Sequence, residues 1–226
     1  MNLPPLILAS ASPRRAELLR QLGLRFQTVA SDASESAHEH LSPLELCLLN
    51  AHRKGRAVAK KFPDALVLAA DTLVFFDGDI LGKPADLTEA QRMLERLQNR
   101  THQVVTGVAL ICLRAHREHV FAVGTDVRFR ALTAGQIRNY LARVNPLDKA
   151  GAYAVQEHGH LIVEEISGSY SNVVGLPVER LQEELNAWPR LAKDPIEPSA
   201  GKSDYPWPSE SKDALNQNRK TNKTKS

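Results

Sequence analysis

No run of apolar residues in this chain approaches the length needed to cross a bilayer, and near the start only Leu6 to Ala9 follow Pro4 and Pro5. Neither a membrane span nor a signal peptide is therefore expected, and the protein is expected in the cytoplasm. Cysteine is scarce: Cys47 and Cys112 are the only two, far apart in sequence. That spacing offers no close-set metal-ligand pattern and no expected disulfide. The three close histidine pairs, His38/His40, His116/His119 and His158/His160, lack an evident third ligand, so zinc is not expected either. Internal repeats are missing too.

An excess of one charge is also missing from most of the chain. Of 29 basic and 26 acidic residues, positions 190 to 226 hold eight and five, which leaves 21 of each sign upstream. The formal charge of +3 thus resides in the tail, and nucleic acid is not an expected partner of the folded body. The length, 226 residues, suits one domain over 1–189 followed by a basic tail over 190–226. That tail is rich in Pro, Ser, Lys and Asn with few apolar residues, a composition that predicts disorder.

What is present alternates strand and helix signals. Leu6 to Ser10 reads as a buried strand, then Ser12 offers an N-cap oxygen with Pro13 at the first helical position and Gly23 as the stop. Ser42, Pro43 and Glu45 form a capping box for a helix to about Lys60. Ala65 to Ala70 reads as an apolar strand that opens into a loop at Asp71, and Leu73 to Phe76 with Ile80 and Leu81 flank an Asp77-Gly78 hairpin turn. Thr88 with Gln91, and Thr133 with Gln136, predict caps for helices near 89–98 and up to Val144. Between them Val104 to Leu113 and His119 to Arg130 predict a long antiparallel pair. Leu161 to Ile166 reads as a strand, and Val178 to Trp188 as a closing helix stopped by Pro189.

Three constellations carry chemistry. In SASPRR, residues 10–15, a strand ends in the hydroxyl of Ser10, and Arg14 and Arg15 follow in the first turn of a helix. Two guanidinium groups oppose the positive end of the helix dipole, a local conflict that an anion would relieve, since backbone donors and Arg forks both match phosphoryl oxygens. Asp71 at the rim, with Lys83 returning across the hairpin, pairs a Mg²⁺-binding carboxylate with a point charge for the same phosphates. The third is DKAGAYAVQ at 148–156 with GSYSNVVGLPVE at 168–179, where small residues let backbone approach a ligand closely or merely make tight turns.

Together these segments resemble the Maf family of nucleotide pyrophosphatases from about Leu6 to Leu185. SDASES at 31–36, AHRKGRAV at 51–58, AADTLV at 69–74, LGKPAD at 81–86 and HQVVTGVAL at 102–110 complete the set in order. The resemblance implies an α/β fold, a long twisted mixed sheet flanked by helices with two lobes around a cleft, of the ITPase-like, Maf/Ham type. It implies a nucleoside triphosphate pyrophosphatase that hydrolyses dTTP and UTP to the monophosphate and pyrophosphate, a house-cleaning role with a link to cell division arrest, and a homodimer.

Residue by residue, the resemblance carries phosphate binding onto Ser10, Arg14, Arg15, Lys54 and Lys83. Asp71 is implied as the proton acceptor for water and, with Glu35, as ligand to a divalent cation, Mg²⁺ or Mn²⁺. Where the family commonly has an Asp-Glu pair this chain reads Ala33-Ser34-Glu35, so either Asp32 or Glu35 is the second acid. Ala154 and Val155 replace the usual Gly and Ile. Thr72 and Gln156 mark the branch acting on dTTP and UTP, and the Gln156 amide offers the donor and acceptor that match O4 and N3–H of uracil or thymine. The rival reading is a non-enzymatic division regulator that senses nucleotide, or a nucleic-acid-associated binder using the tail.

Overall fold

The computed structural model describes residues 3–34 and 40–191, with side chains up to Trp188. The expected second acid Glu35 and the tail beyond residue 191 lie outside the described residues. In chain order the elements are β1 (Leu6–Leu8), α1 (Pro13–Gln21), β2 (Phe26–Thr28), α2 (Pro43–Ala59), β3 (Leu66–Phe76), β4 (Asp79–Leu81) and α3 (Leu87–Leu97). Then follow β5 (Thr101–Cys112), β6 (Arg117–Phe129), α4 (Ala134–Leu141), β7 (Val163–Ser167), α5 (Tyr170–Val174) and α6 (Val178–Leu191).

The strands form one mixed sheet in the order β2-β1-β3-β5-β6-β7, with β4 paired to the far end of β3. β2, β1 and β3 run parallel; β5, β6 and β7 continue antiparallel. This is the expected mixed α/β sheet. Strand residues alternate between faces, and both faces are covered. Leu66, Leu68, Ala70, Val108 and Leu110 pack with Leu18 and Leu19 of α1 and with Leu181 and Leu185 of α6. Val67, Ala69, Ala109 and Ile111 pack with Ala51, Val58 and Ala59 of α2. Burial on both faces explains why β3 and β5 read as unbroken apolar runs rather than alternating ones. A second large cluster gathers α3, α4, the end of β3 and β6 around Phe129, Tyr140 and Tyr153.

Most helix signals are realised. Ser12 caps α1 by accepting from Arg15 N, and Ser42–Glu45 and Thr133–Gln136 form reciprocal capping boxes. The hairpin turn has positive φ at both Asp77 (54°) and Gly78 (87°), the geometry that suits a right-twisted two-residue turn. Three expectations need correction. α3 is capped by Asp86, whose carboxylate accepts from Glu89 N at 2.8 Å, because an Asp two residues ahead of Thr88 starts the helix earlier. α6 runs through Pro189 to Leu191, so the missing N–H costs one hydrogen bond without stopping the helix. Asp71 does not sit where β3 opens into a loop: β3 is continuous through it, paired Asp71 to Gly107, and the residue is buried at 4% exposure.

α2 lies close enough to β5 that Gly107 leaves no room for a side chain; a Cβ there would stand 2.5 Å from the Cys47 carbonyl. Backbone meets backbone at that point, so relief requires moving the helix. Gly107→Ala is expected to destabilise the fold by about 1–3 kcal/mol or more, the cost of overpacking a tight core. A urea midpoint equal to that of the wild type would refute the close approach.

Candidate active site

β1 pairs with β3 only as far as Leu8 with Leu68, and β4 begins its pairing at Val74 with Leu81. Between those registers the edge of β3 facing β1 is open, and a cavity of about 320 Å³ looks onto it. Alternation along β3 places Asp71 on the α2 side with Val67 and Ala69, and Thr72 on the α1 side with Leu68 and Ala70. One short stretch of exposed edge therefore presents two different polar groups to one cavity. The walls come from both apolar clusters: Val174 belongs to one, Val74 and Tyr153 to the other. The expected cleft between two lobes is this space.

Asp71 is held by α2. Lys54 Nζ donates to Oδ1 at 2.6 Å and Asn50 Nδ2 to Oδ2 at 3.3 Å, from positions four apart and so on one helix face. Asn50 was not among the residues picked out by sequence. Its signal was there: an Asn between Cys47, Ala51 and Val58 on the buried stripe of an amphipathic helix needs a polar partner inside. Asp32 does not join this group. It does not line the cavity and pairs instead with Lys61 at 3.0 Å on an exposed surface.

Arg15 spans from α1 to three elements. Its Nε donates to the Gly175 carbonyl at 2.8 Å, Nη2 to Thr72 Oγ1 at 2.9 Å and Nη1 to Ser10 Oγ at 3.4 Å. Ser10 is buried and also accepts from Ser12 N. Arg14 reaches across the mouth to Asp148 at 3.3 Å; burial pushes the Asp148 carboxyl up, but Lys149 and then Arg14 together hold it below the usual carboxylate range. Lys83 is exposed on the rim with no hydrogen bond or ion pair among the described residues, and its loop is tied to the far wall where Gly151 N donates to the Gly82 carbonyl at 3.0 Å. Arg14, Arg15, Lys54 and Lys83 thus converge with Asp71 on one end of the cavity.

The other end is lined by Val74, Tyr153, Ala154, Val155, Val173 and the exposed Gln156. Behind Tyr153 stands a group the sequence did not disclose: His102 is buried in β5 with Nε2 2.6 Å from the Tyr153 hydroxyl, edge-on to Tyr153 and Phe129. It fixes the wall without facing the cavity.

The donor set suits a divalent cation of the Mg²⁺ kind. Such ions take one or two protein carboxylates and complete their shell with phosphates and water, and a carboxylate has about four acceptor positions, of which Lys54 and Asn50 occupy two on Asp71. No group of three or more His, Cys, Asp or Glu side chains converges among the described residues, so those residues alone do not form a metal cage there.

The family model described as Maf-like protein matches residues 5–188. A dTTP/UTP pyrophosphatase of Akkermansia muciniphila is 47% identical over 184 residues, covering 81% of this chain and 96% of that protein. Another, of Symbiobacterium thermophilum, is 51% identical over 175 residues, covering 77% and 89%. Among solved structures, the Staphylococcus aureus Ham1 protein aligns over 81% of this chain and 99% of its own with a TM-score of 0.48 and 18% identity, too loose a likeness to bear on function.

Burial pulls the His102 imidazole down to about 4. An unfolded chain has this group near about 6.5, so between those values the unfolded state binds the proton that the native state refuses. Stability must therefore fall as pH drops from about 6.5 to about 4, by on the order of 3 kcal/mol, and gain nothing further above that window. His102→Gln keeps a polar partner for Tyr153 but cannot titrate, and its stability profile should be flatter over that window. Superimposable slopes for the two proteins would exclude His102 as the cause.

Proposed function

The chain belongs to the Maf family, and from that premise we propose that it hydrolyses dTTP and UTP to the nucleoside monophosphate and pyrophosphate. The observation that supports this best is the division of one cavity into a cationic end built around Asp71 and an apolar end that finishes in the Gln156 amide. Relatives matched over 96% and 89% of their own length carry the name dTTP/UTP pyrophosphatase, and the non-enzymatic sensor finds no support among them.

In this reading the triphosphate lies with its phosphates against Arg14, Arg15, Lys54 and Lys83, and Ser10 adds a hydroxyl at the head of α1. Arg15, Lys54 and Ser10 are already oriented before substrate arrives, so charge growing in the transition state meets fixed donors there rather than mobile water, while Lys83 orders on the phosphates. Arg14 exchanges Asp148 for phosphate as the substrate enters. Water attacks, its proton passes to Asp71, and the phosphoanhydride bond to the pyrophosphate leaving group breaks. Asn50 and Lys54 hold the carboxylate in place for that transfer. A divalent cation, Mg²⁺ or Mn²⁺, bound by Asp71 and by Glu35 would supply Lewis-acid charge against the same phosphates. The base packs between Val74 and Tyr153 and presents its edge to Gln156.

A cytoplasmic homodimer is the setting we assign to this activity. No helix among the described residues is long and apolar enough to cross a membrane.

The test is release of pyrophosphate and monophosphate from UTP and dTTP with Mg²⁺ or Mn²⁺. Asp71→Asn is nearly isosteric and retains an oxygen for Lys54, so it should keep the circular dichroism spectrum while turnover falls by about a hundredfold or more. Turnover near wild type would remove Asp71 from the chemistry. Gln156→Ala should depress kcat/KM for UTP and dTTP by about tenfold or more and leave slow activity on GTP nearly unchanged, because only a matched pyrimidine edge loses paired groups. An equal loss for every triphosphate would show that Gln156 serves the phosphates or the loop instead.

A further inference from the structure

Thr72 looks, from its place beside Asp71, like a group that touches the substrate. Its hydrogen bonds give it a further task beside that cavity. Thr72 Oγ1 accepts from Arg15 Nη2 at 2.9 Å and stands 3.0 Å from Thr106 Oγ1, while Thr106 in turn donates to the Asn172 carbonyl at 3.1 Å. A threonine hydroxyl carries one proton. If Thr106 gives its proton to the carbonyl, it must accept from Thr72, and the Thr72 proton is then committed as well. What Thr72 turns towards Arg15 is a lone pair, which is what a guanidinium donor needs. A carbonyl oxygen only accepts, so the 3.1 Å contact commits the Thr106 proton even though Gly175 N also donates to the Asn172 carbonyl at 3.0 Å. The chain therefore has one consistent sense, from Arg15 through two hydroxyls to the backbone of α5.

The end of that chain is fixed. Thr106 and Asn172 are both fully buried, and the Asn172 amide donates to the Val104 carbonyl and to Thr125 Oγ1, each at 3.0 Å, tying α5 to β5 and β6. The Gly175 carbonyl that accepts from Arg15 Nε follows directly after α5. One short helix thus holds Arg15 twice, once directly and once through Thr72 and Thr106.

We propose that Thr106, which touches no substrate, is a positioning residue for the hydrolysis, setting the plane of the Arg15 guanidinium through Thr72 with the Asn172 carbonyl as final acceptor. The inference rests on the assignment of Arg15 to the phosphates. It also gives Thr72 a role that is independent of the base, because Arg15 addresses the triphosphate that all nucleotides share.

Thr106→Val is nearly isosteric and cannot pass on the hydrogen bond. Losing a preorganised donor outright costs about a hundredfold or more, so loosening one should lower kcat by about tenfold, with KM for UTP within about threefold. The factor should be the same for UTP and dTTP. Thr106→Ser should return kcat to within about twofold of wild type, and in an Arg15→Ala background Thr106→Val should add no further loss, since the two act as one unit. Should Thr106→Val fail to fold, Thr72→Val and Thr72→Ser break and restore the same chain at a less buried link. A readout independent of turnover is the pair of Arg15 Nη signals in ¹⁵N NMR, separate while rotation is hindered and merged in the valine variant. Wild-type kcat and unmerged Arg15 signals in the valine variants, a loss that serine does not restore, or a factor that differs between bases would each overturn the proposal. If instead the wild type releases no pyrophosphate from any triphosphate, the proposed activity fails while the Arg15 signals still decide whether Thr106 holds the guanidinium.

Discussion

Everything in the cavity depends on an interruption in the pairing of β3. A strand flanked on both sides delivers its residues only to the two faces of a sheet, but β1 stops at Leu8 and β4 starts opposite Val74, so Asp71 and Thr72 stand on a stretch with one bare edge. Strand alternation then sends the carboxylate to α2 and the hydroxyl to α1. The helix that follows β1 supplies Arg14 and Arg15 at its first turn, directly outside the carboxyl end of a parallel strand, which is where open α/β sheets generally bind ligands. Had β1 been three residues longer, it would have covered the edge and buried both groups against backbone.

The Lys54–Asp71 pair shows how such a site is held without being a stabilising device. The Lys54 side chain is 15% exposed and that of Asp71 6%, so both ions have lost much of their hydration, and a pair of that kind contributes little net stability even at 2.6 Å. Its value lies in orientation. With Asn50 on the second oxygen the carboxylate is clamped from one side by α2, and its remaining acceptor positions are left for water or a cation. Such clamping ahead of the reaction removes a reorganisation cost that a free side chain would meet in the transition state.

Local signals in the sequence were legible where one residue and its near neighbours decide the outcome. The caps at Ser12, Ser42 and Thr133, the Asp77-Gly78 turn and the long β5–β6 pair depend on chemistry within a few positions, and the structure has them. Several charged residues of the cavity were legible as types, Arg14, Arg15 and Lys83 because cations suit phosphate and Asp71 because a carboxylate suits a divalent cation, whereas Lys54 came only through the family resemblance. What could not be read was who meets whom. Asp71 looked like the end of an apolar strand because its polarity breaks the run, yet β5 continues the pairing through Gly107 and a partner from α2 neutralises it. Asp32 and Glu35 were alternatives in the sequence; Asp32 lies on an exposed surface paired with Lys61, and Glu35 lies outside the described residues. Asn50, Thr106 and Asn172 act through contacts 21, 34 and 66 residues away, beyond any local pattern.

The two ends of the cavity are built on opposite principles, and that contrast explains why they can share one substrate. At the cationic end the side chains are tied in advance: Arg15 to Gly175 and Thr72, Arg14 to Asp148, Lys54 to Asp71. Fixed charges there lose little entropy when phosphate arrives, and their orientation serves the reacting atoms. The opposite end is made of aliphatic walls and Tyr153, with Gln156 exposed and bonded to no described residue, so in the proposed reading the base meets a side chain that must order when ligand binds. Ordering a glutamine costs on the order of 1–2 kcal/mol, which only a correctly matched edge repays. In the function proposed above, the tied end meets the triphosphate that all nucleotides share and the adaptable end meets the base.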